Sequence, residues 1–135
     1  MRILIDTNVA LDFFCKRNDF ENAKIIWKLC AEEKVEGFVS ASAITDIFYI
    51  LKKYFEREMI YSILEMFLSA VNVGDVSSYE ILEALKKRSK DFEDTVQSEC
   101  AVSYEADYII TRDPKGFIDS TVKAVSPDEF LSFLK

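Results

Sequence analysis

Short apolar runs alternate along the chain with stretches in which apolar residues recur every third or fourth position. The runs are Ile3-Leu4-Ile5, Gly37-Phe38-Val39, Val71-Asn72-Val73, Tyr108-Ile109-Ile110 and Val122 to Val125. A short, unbroken apolar run predicts a strand buried on both faces, as strands of parallel sheets are. Between the runs, Ala23, Ile26, Trp27 and Cys30 form one helical stripe, and Ile60, Ile63, Leu64, Phe67 and Leu68 form another. Polar residues mark helix ends. Ser77-Ser78-Tyr79-Glu80 reads as a capping box ahead of Ile81, Leu82 and Leu85, and Lys86-Lys87-Arg88 places cations where helix carbonyls end. Ser126-Pro127-Asp128-Glu129 is a second box, with proline at the first helical position. Strands alternating with helices predict an α/β fold, with a mostly parallel sheet covered on both faces and right-handed crossovers. No repeat or Gly/Ser/Pro-rich linker divides the chain, so residues 1–135 are expected to form one domain.

Composition narrows the chemistry more than the fold. Half the residues are apolar and 30% are charged, the balance of a packed globular core. No apolar run approaches the roughly 18 residues of a membrane span, so no membrane association is expected. The start MRILIDTN has no signal-peptide cleavage region. Three dispersed cysteines, Cys15, Cys30 and Cys100, form no CxxC pair and predict reduced thiols in a cytoplasmic protein. There is no histidine, which excludes Ser-His-Asp and Cys-His catalysis and HExxH zinc sites. The only glycines, Gly37, Gly74 and Gly116, are too far apart for a GxGxxG or Walker A loop. Carboxylates, hydroxyls and amides remain, the ligand set of hard cations.

Ligands of open α/β sheets bind beyond the carboxyl ends of the strands, so polar residues just after each run are the candidates. Asp6 follows the first strand, and Asp6-Thr7-Asn8 is equally good helix-capping chemistry. Asp46 is the only charge in GFVSASAITDIFYIL, on a helix apolar almost all round and capped by Ser42. It is expected to be partly buried and to need a cation partner, whether a salt-bridging base or a ligand. Asp94 lies off the apolar stripe Phe92, Val96, Cys100 and Tyr104, and shares a face with Asp91, Gln97 and Ser98; alone, it reads as helix-start chemistry. Asp113 follows the strand ending at Thr111, where Asp-Pro is also a turn opening. A doubly wound sheet can bring all four acids to one edge. Clustered carboxylates raise one another's pKa unless a divalent cation offsets them, and Mg²⁺ or Mn²⁺ is the matching ion. Of the basic residues Lys86, Lys87, Arg88, Lys90 and Arg112, most read as solvated helix ends, while some are placed to contact phosphates. The net charge of −7 argues against strong nonspecific nucleic-acid affinity.

The segments LIDTNVALDFF, VSASAITDIFYIL, DFEDTVQSECA and ADYIITRDPKGF, in this order and spacing, resemble a PIN domain, and more narrowly the small VapC-type toxins of toxin–antitoxin pairs. The resemblance runs from Arg2 to about Val125. It implies a three-layer α/β/α fold with a five-stranded parallel sheet of order 3-2-1-4-5, which sets Asp6 and Asp113 on neighbouring strands. It also implies a Mg²⁺- or Mn²⁺-dependent ribonuclease acting on RNA, with the family's acidic positions on Asp6, Asp46, Asp94 and Asp113. Thr7 or Asn8, and Thr111, match its supporting polar positions. The family's second acid is commonly glutamate; Asp46 is shorter, so its reach differs. A toxin role implies a cognate antitoxin and a homodimer. The competing expectation is a non-catalytic PIN-fold interaction module that docks partners through the helices around Phe48-Tyr49 and Phe67-Leu68. A haloacid-dehalogenase-like phosphatase is disfavoured because the DxDxT start is absent.

Overall fold

The computed structural model describes residues 1–135. The chain runs β1 (Arg2–Ile5), α1 (Thr7–Cys15), α2 (Phe20–Ala31), β2 (Glu36–Ser40), α3 (Ala41–Leu51), α4 (Arg57–Leu68), β3 (Asn72–Gly74), α5 (Ser78–Lys87), α6 (Phe92–Ser103), β4 (Tyr108–Ile110), β5 (Lys123–Val125) and α7 (Pro127–Phe133). A short 3-10 turn, Pro114–Phe117, lies between β4 and β5. All strand pairings are parallel and the order is β3-β2-β1-β4-β5, as the family resemblance implied. Central β1 pairs Ile3 with Gly37 on one side and with Tyr108 on the other.

Alternation along β1 divides the core into two layers. Ile3 and Ile5 point to the larger one, packed with residues of α1, α2, α3, α4 and α7 such as Phe14, Ile26, Ile47, Phe67 and Phe130. Leu4 points to the opposite face, against Ala101, Ile109 and Phe117. Beyond it α5 and α6 close together over Ala84, Val96 and Cys100. Helices on both faces leave the carboxyl ends of the strands as the open edge of the molecule.

Most local signals act as the sequence predicts. Ser77 and Glu80 form a complete capping box, and Ser126 accepts from the Glu129 N–H at 3.1 Å. Three expectations are corrected. α3 is capped by Ser40, not Ser42: Ser40 ends β2 in an extended conformation, and its Oγ accepts from the Ala43 N–H at 3.2 Å. The helix therefore begins the moment the strand stops. β3 is not buried on both faces, since it lies at the sheet edge with Asn72 and Val73 exposed. On α6, Val96 and Cys100 are buried, but Phe92 in the first turn is exposed.

Candidate active site

Strand order reverses at β1, whose neighbours β2 and β4 belong to the two winding halves. The crevice beyond such a switch point is where open α/β sheets bind ligands. Asp6 leaves β1 there and caps α1. Its backbone N–H donates to the Ile110 carbonyl at 2.9 Å, its Oδ1 accepts from the Thr7 N–H at 2.9 Å, and its Oδ2 accepts from the Thr111 hydroxyl at 2.9 Å. Buried Thr111 also accepts the Asp113 N–H at 3.1 Å. One hydroxyl thus ties the acid after β1 to the acid after β4. Burial pushes the pKa of Asp6 up, and the bonds from Thr111, Thr7 and the Gln97 amide offset part of that rise.

Asp94 approaches from α6. Its helix is capped by Asp91, which accepts the Asp94 N–H at 3.0 Å. The Asp94 pKa is pushed up to about 7 by burial, by the charges of Asp91 and Asp6, by a hydrogen bond with Asp91 and by the charge of Asp113. Gly116, in the 3-10 turn, closes over this group. A Cβ there would lie 2.8 Å from Asp94 Oδ2 and 3.5 Å from Asp113 Oδ2. The missing side chain, not backbone freedom, lets the turn approach both carboxylates.

Asp46 lines the same cleft from α3 but is exposed and pairs with no base. The expectation of partial burial is corrected, and no base forms a salt bridge to Asp46: α3 buries only Ala43, Ile47 and Leu51, and its other apolar residues do not enclose Asp46. Thr7 and Asn8 also line the cleft, with Asn8 exposed. Arg112 does not reach towards this space. Its Nε lies 3.2 Å from Oδ2 of Asp12, a fully buried carboxylate that Arg17 pairs with on the other oxygen. Lys86 is held by Glu83 at 2.7 Å and Lys87 by Glu99 at 3.2 Å.

The resulting cleft has a volume of about 720 Å³. Asp6, Asp46, Asp91, Glu93, Asp94 and Asp113 line it, and no lysine or arginine does. As the side chains stand, no three acidic groups converge on a common liganding point. The donor set nevertheless fits a hard cation: oxygen ligands only, burial and neighbouring like charges that hold a proton on Asp94 near neutrality, and no protein base lining the cleft to neutralise them. Sequence reasoning did not single out Gln97. It is buried beside Asp6, with Oε1 sequestered from solvent and unpaired. Its signal was its place one helical turn after Asp94 on the polar face.

The family model of the PIN domain matches residues 2–115. The chain belongs to the PIN domain family. Solved structures share the PIN fold at low identity. A chain of VapBC2 from Rickettsia felis, solved bound to a promoter DNA fragment, aligns with a TM-score of 0.73 at 18% identity, covering 93% of this chain and 98% of that one. A chain of a toxin-antitoxin complex from Klebsiella pneumoniae aligns with a TM-score of 0.67 at 24% identity, covering 93% and 97%. VapC20 from Mycobacterium tuberculosis, described as a Sarcin-Ricin loop cleaving toxin, aligns with a TM-score of 0.62 at 14% identity over 79% and 86%. Among curated proteins, none matches this chain. No helix of this PIN domain is long and apolar enough to cross a membrane.

Proposed function

We propose that this PIN domain is a Mg²⁺- or Mn²⁺-dependent endoribonuclease, the toxin of a toxin–antitoxin pair. The carrying observation is the group Asp6, Asp91, Asp94 and Asp113 in a cleft lined by no cationic side chain, where burial, and after it the neighbouring carboxylates, keep the Asp94 pKa near 7. Such a site stores negative charge that a divalent cation relieves. Asp6, Asp94 and Asp113 would hold the ion. A cation bound there lowers the pKa of an attacking water and stabilises charge on a phosphoryl oxygen, which supplies a nucleophile without histidine.

The chain's own groups do the positioning. Thr111 and the Thr7 N–H fix both oxygens of Asp6, and the Gln97 amide favours its ionised form. Asp46, unpaired on the facing wall, completes the ligand set or orients the water. In the hydrolysis, the water oxygen bonds to phosphorus, the P–O3′ bond breaks and the leaving oxygen takes a proton. The products carry 5′-phosphate and 3′-hydroxyl ends. The toxin reading is supported by the family membership and by structural neighbours that come from toxin–antitoxin complexes. It brings a cognate antitoxin and a homodimer as partners, and a cytoplasmic location in keeping with three free cysteines.

The test is Asp6→Asn. RNA cleavage dependent on Mn²⁺ should fall at least about 100-fold, while the circular dichroism spectrum stays that of the wild type. Retained cleavage would falsify the assignment.

A further inference from the structure

Two partly exposed aromatic rings stand on the walls of the cleft. Tyr49 is 69% exposed and Phe92 is 42% exposed, and both line the space that holds Asp6, Asp46 and Asp94. They come from opposite layers. Tyr49 belongs to α3, on the face of Ile3 and Ile5, and Phe92 opens α6, on the face of Leu4. Helix geometry ties one of them to a carboxylate: Tyr49 is three residues after Asp46, on the same side of α3, whereas Phe92 is two before Asp94, on the other side of α6, and reaches the cleft from the first turn of that helix. Neither ring packs against another aromatic side chain. A cation lies over Tyr49: Lys52 Nζ is 6.0 Å from the ring centroid.

The charge of the cleft says what these rings are for. A protein that grips a polyanion usually does so with lysine and arginine, and gains affinity from released counterions. Six acidic residues and no basic one line this cleft, and the cation nearest its rings, Lys52, lies over Tyr49, so the walls themselves offer the phosphates little positive charge. The remaining handle on a nucleotide is the base. Every base has a π-face, and stacking on aromatic side chains binds single strands with little sequence preference. Bases in a duplex are already stacked on both faces and cannot be held in this way without first being splayed out.

Taking the ribonuclease reading as given, we propose that Tyr49 and Phe92 are specificity-determining residues that stack unpaired bases on either side of the scissile phosphate. Asp6 follows the central strand, between the two layers, so a strand held by both rings would carry its backbone past it. The cleft accordingly admits unpaired segments and excludes continuous duplex. Because affinity comes from stacking, its dependence on monovalent salt is shallow.

The experiment uses the full chain with Mn²⁺ and a short single-stranded RNA carrying 2-aminopurine beside the cleaved bond, mixed rapidly while fluorescence and product are followed. The wild type should quench 2-aminopurine before cleaving. Tyr49→Ala and Phe92→Ala should each lose most of the quench and raise KM about tenfold, with kcat little changed and the Mn²⁺-induced rise in Tm intact. Tyr49→Phe should restore both quench and KM. A wild type that cleaves while the alanine variants keep its KM and quench overturns the stacking proposal and leaves the nuclease reading standing. Equal KM for duplex and single strand overturns it too. If the alanine variants lose self-association and not substrate affinity, the rings belong to a protein interface and the proposal fails. A wild type that neither quenches nor cleaves removes the nuclease reading and the proposal together.

Discussion

Asp94 holds its proton up to about pH 7, through burial and the charges of Asp91, Asp6 and Asp113. Two consequences follow from the sign of that shift. A cation must displace the proton, so Mn²⁺ affinity should climb about tenfold per pH unit below 7 and level off above it. Isothermal titration between pH 5.5 and 8 checks this, and a flat profile would remove Asp94 from the ligand set. The same shift acts on stability without metal. A carboxyl whose pKa is higher in the folded chain than its ordinary 3.8 contributes stability below that value, and the contribution is lost as pH rises through about 7. Asp6 shifts in the same direction. The metal-free Tm should therefore fall across this window, and Asp94→Asn should flatten the fall. Gly116 tests the geometry of the same pair. Gly116→Ala puts a methyl 2.8 Å from Asp94 Oδ2 and should weaken Mn²⁺ binding by about tenfold while the fold survives, since the glycine is exposed and has no left-handed φ. Unchanged affinity in that variant would mean that the turn yields and the close approach is incidental.

At the level of the element, helix ends decide where the acids point. α5 begins on a capping box in which the Ser77 N–H and hydroxyl both donate to Glu80 Oε1, at 2.7 and 2.8 Å, while Ser103 donates to Oε2 at 2.9 Å. Burial by itself would raise the Glu80 pKa, but these bonds outweigh it and the net shift is downwards. The group stabilises the fold above its ordinary 4.5, and that stability is lost as pH falls through its lower folded value. Ser77→Ala should cost about 1 kcal/mol in urea denaturation at pH 7. Because the box also anchors α5 to α6 through Ser103, a loss well below that would show that the cap contributes little. This box was legible because its residues are consecutive and its bonds local. The start of α3 was not: Ser40 and Ser42 are equivalent as letters, and only the end of β2 chooses Ser40.

For the whole molecule, the net charge of −7 is a poor guide to the substrate. Much of it is ordinary helix surface; the part that bears on function is concentrated at one sheet edge. A cation bound only by the folded chain stabilises it by about 2.7 kcal/mol at a hundredfold excess over Kd. For a chain of this size Mn²⁺ should raise Tm by roughly 5–12 °C. Differential scanning calorimetry with and without Mn²⁺ measures this, and Asp6→Asn should abolish it. No shift in the wild type would leave the acidic cleft without a metal role.

The sequence by itself determined the α/β class, the five strands and most of the capping chemistry, because these depend on neighbours within a few positions. It also carried the family resemblance, hence the strand order, through ordered motifs that surround the four acids. What only the tertiary structure decided depends on approach between distant segments. Arg112 is spent on buried Asp12 and not on the cleft. Gly116 leaves the space in which Asp94 and Asp113 come close. Asp46, isolated among apolar letters, faces solvent because only one stripe of α3 meets the core. Gln97 sits beside Asp6 and adds an amide to the site. Apolar periodicity records which side of an element is buried. The partner across the cleft, and the charge it brings, exist only once the sheet is wound.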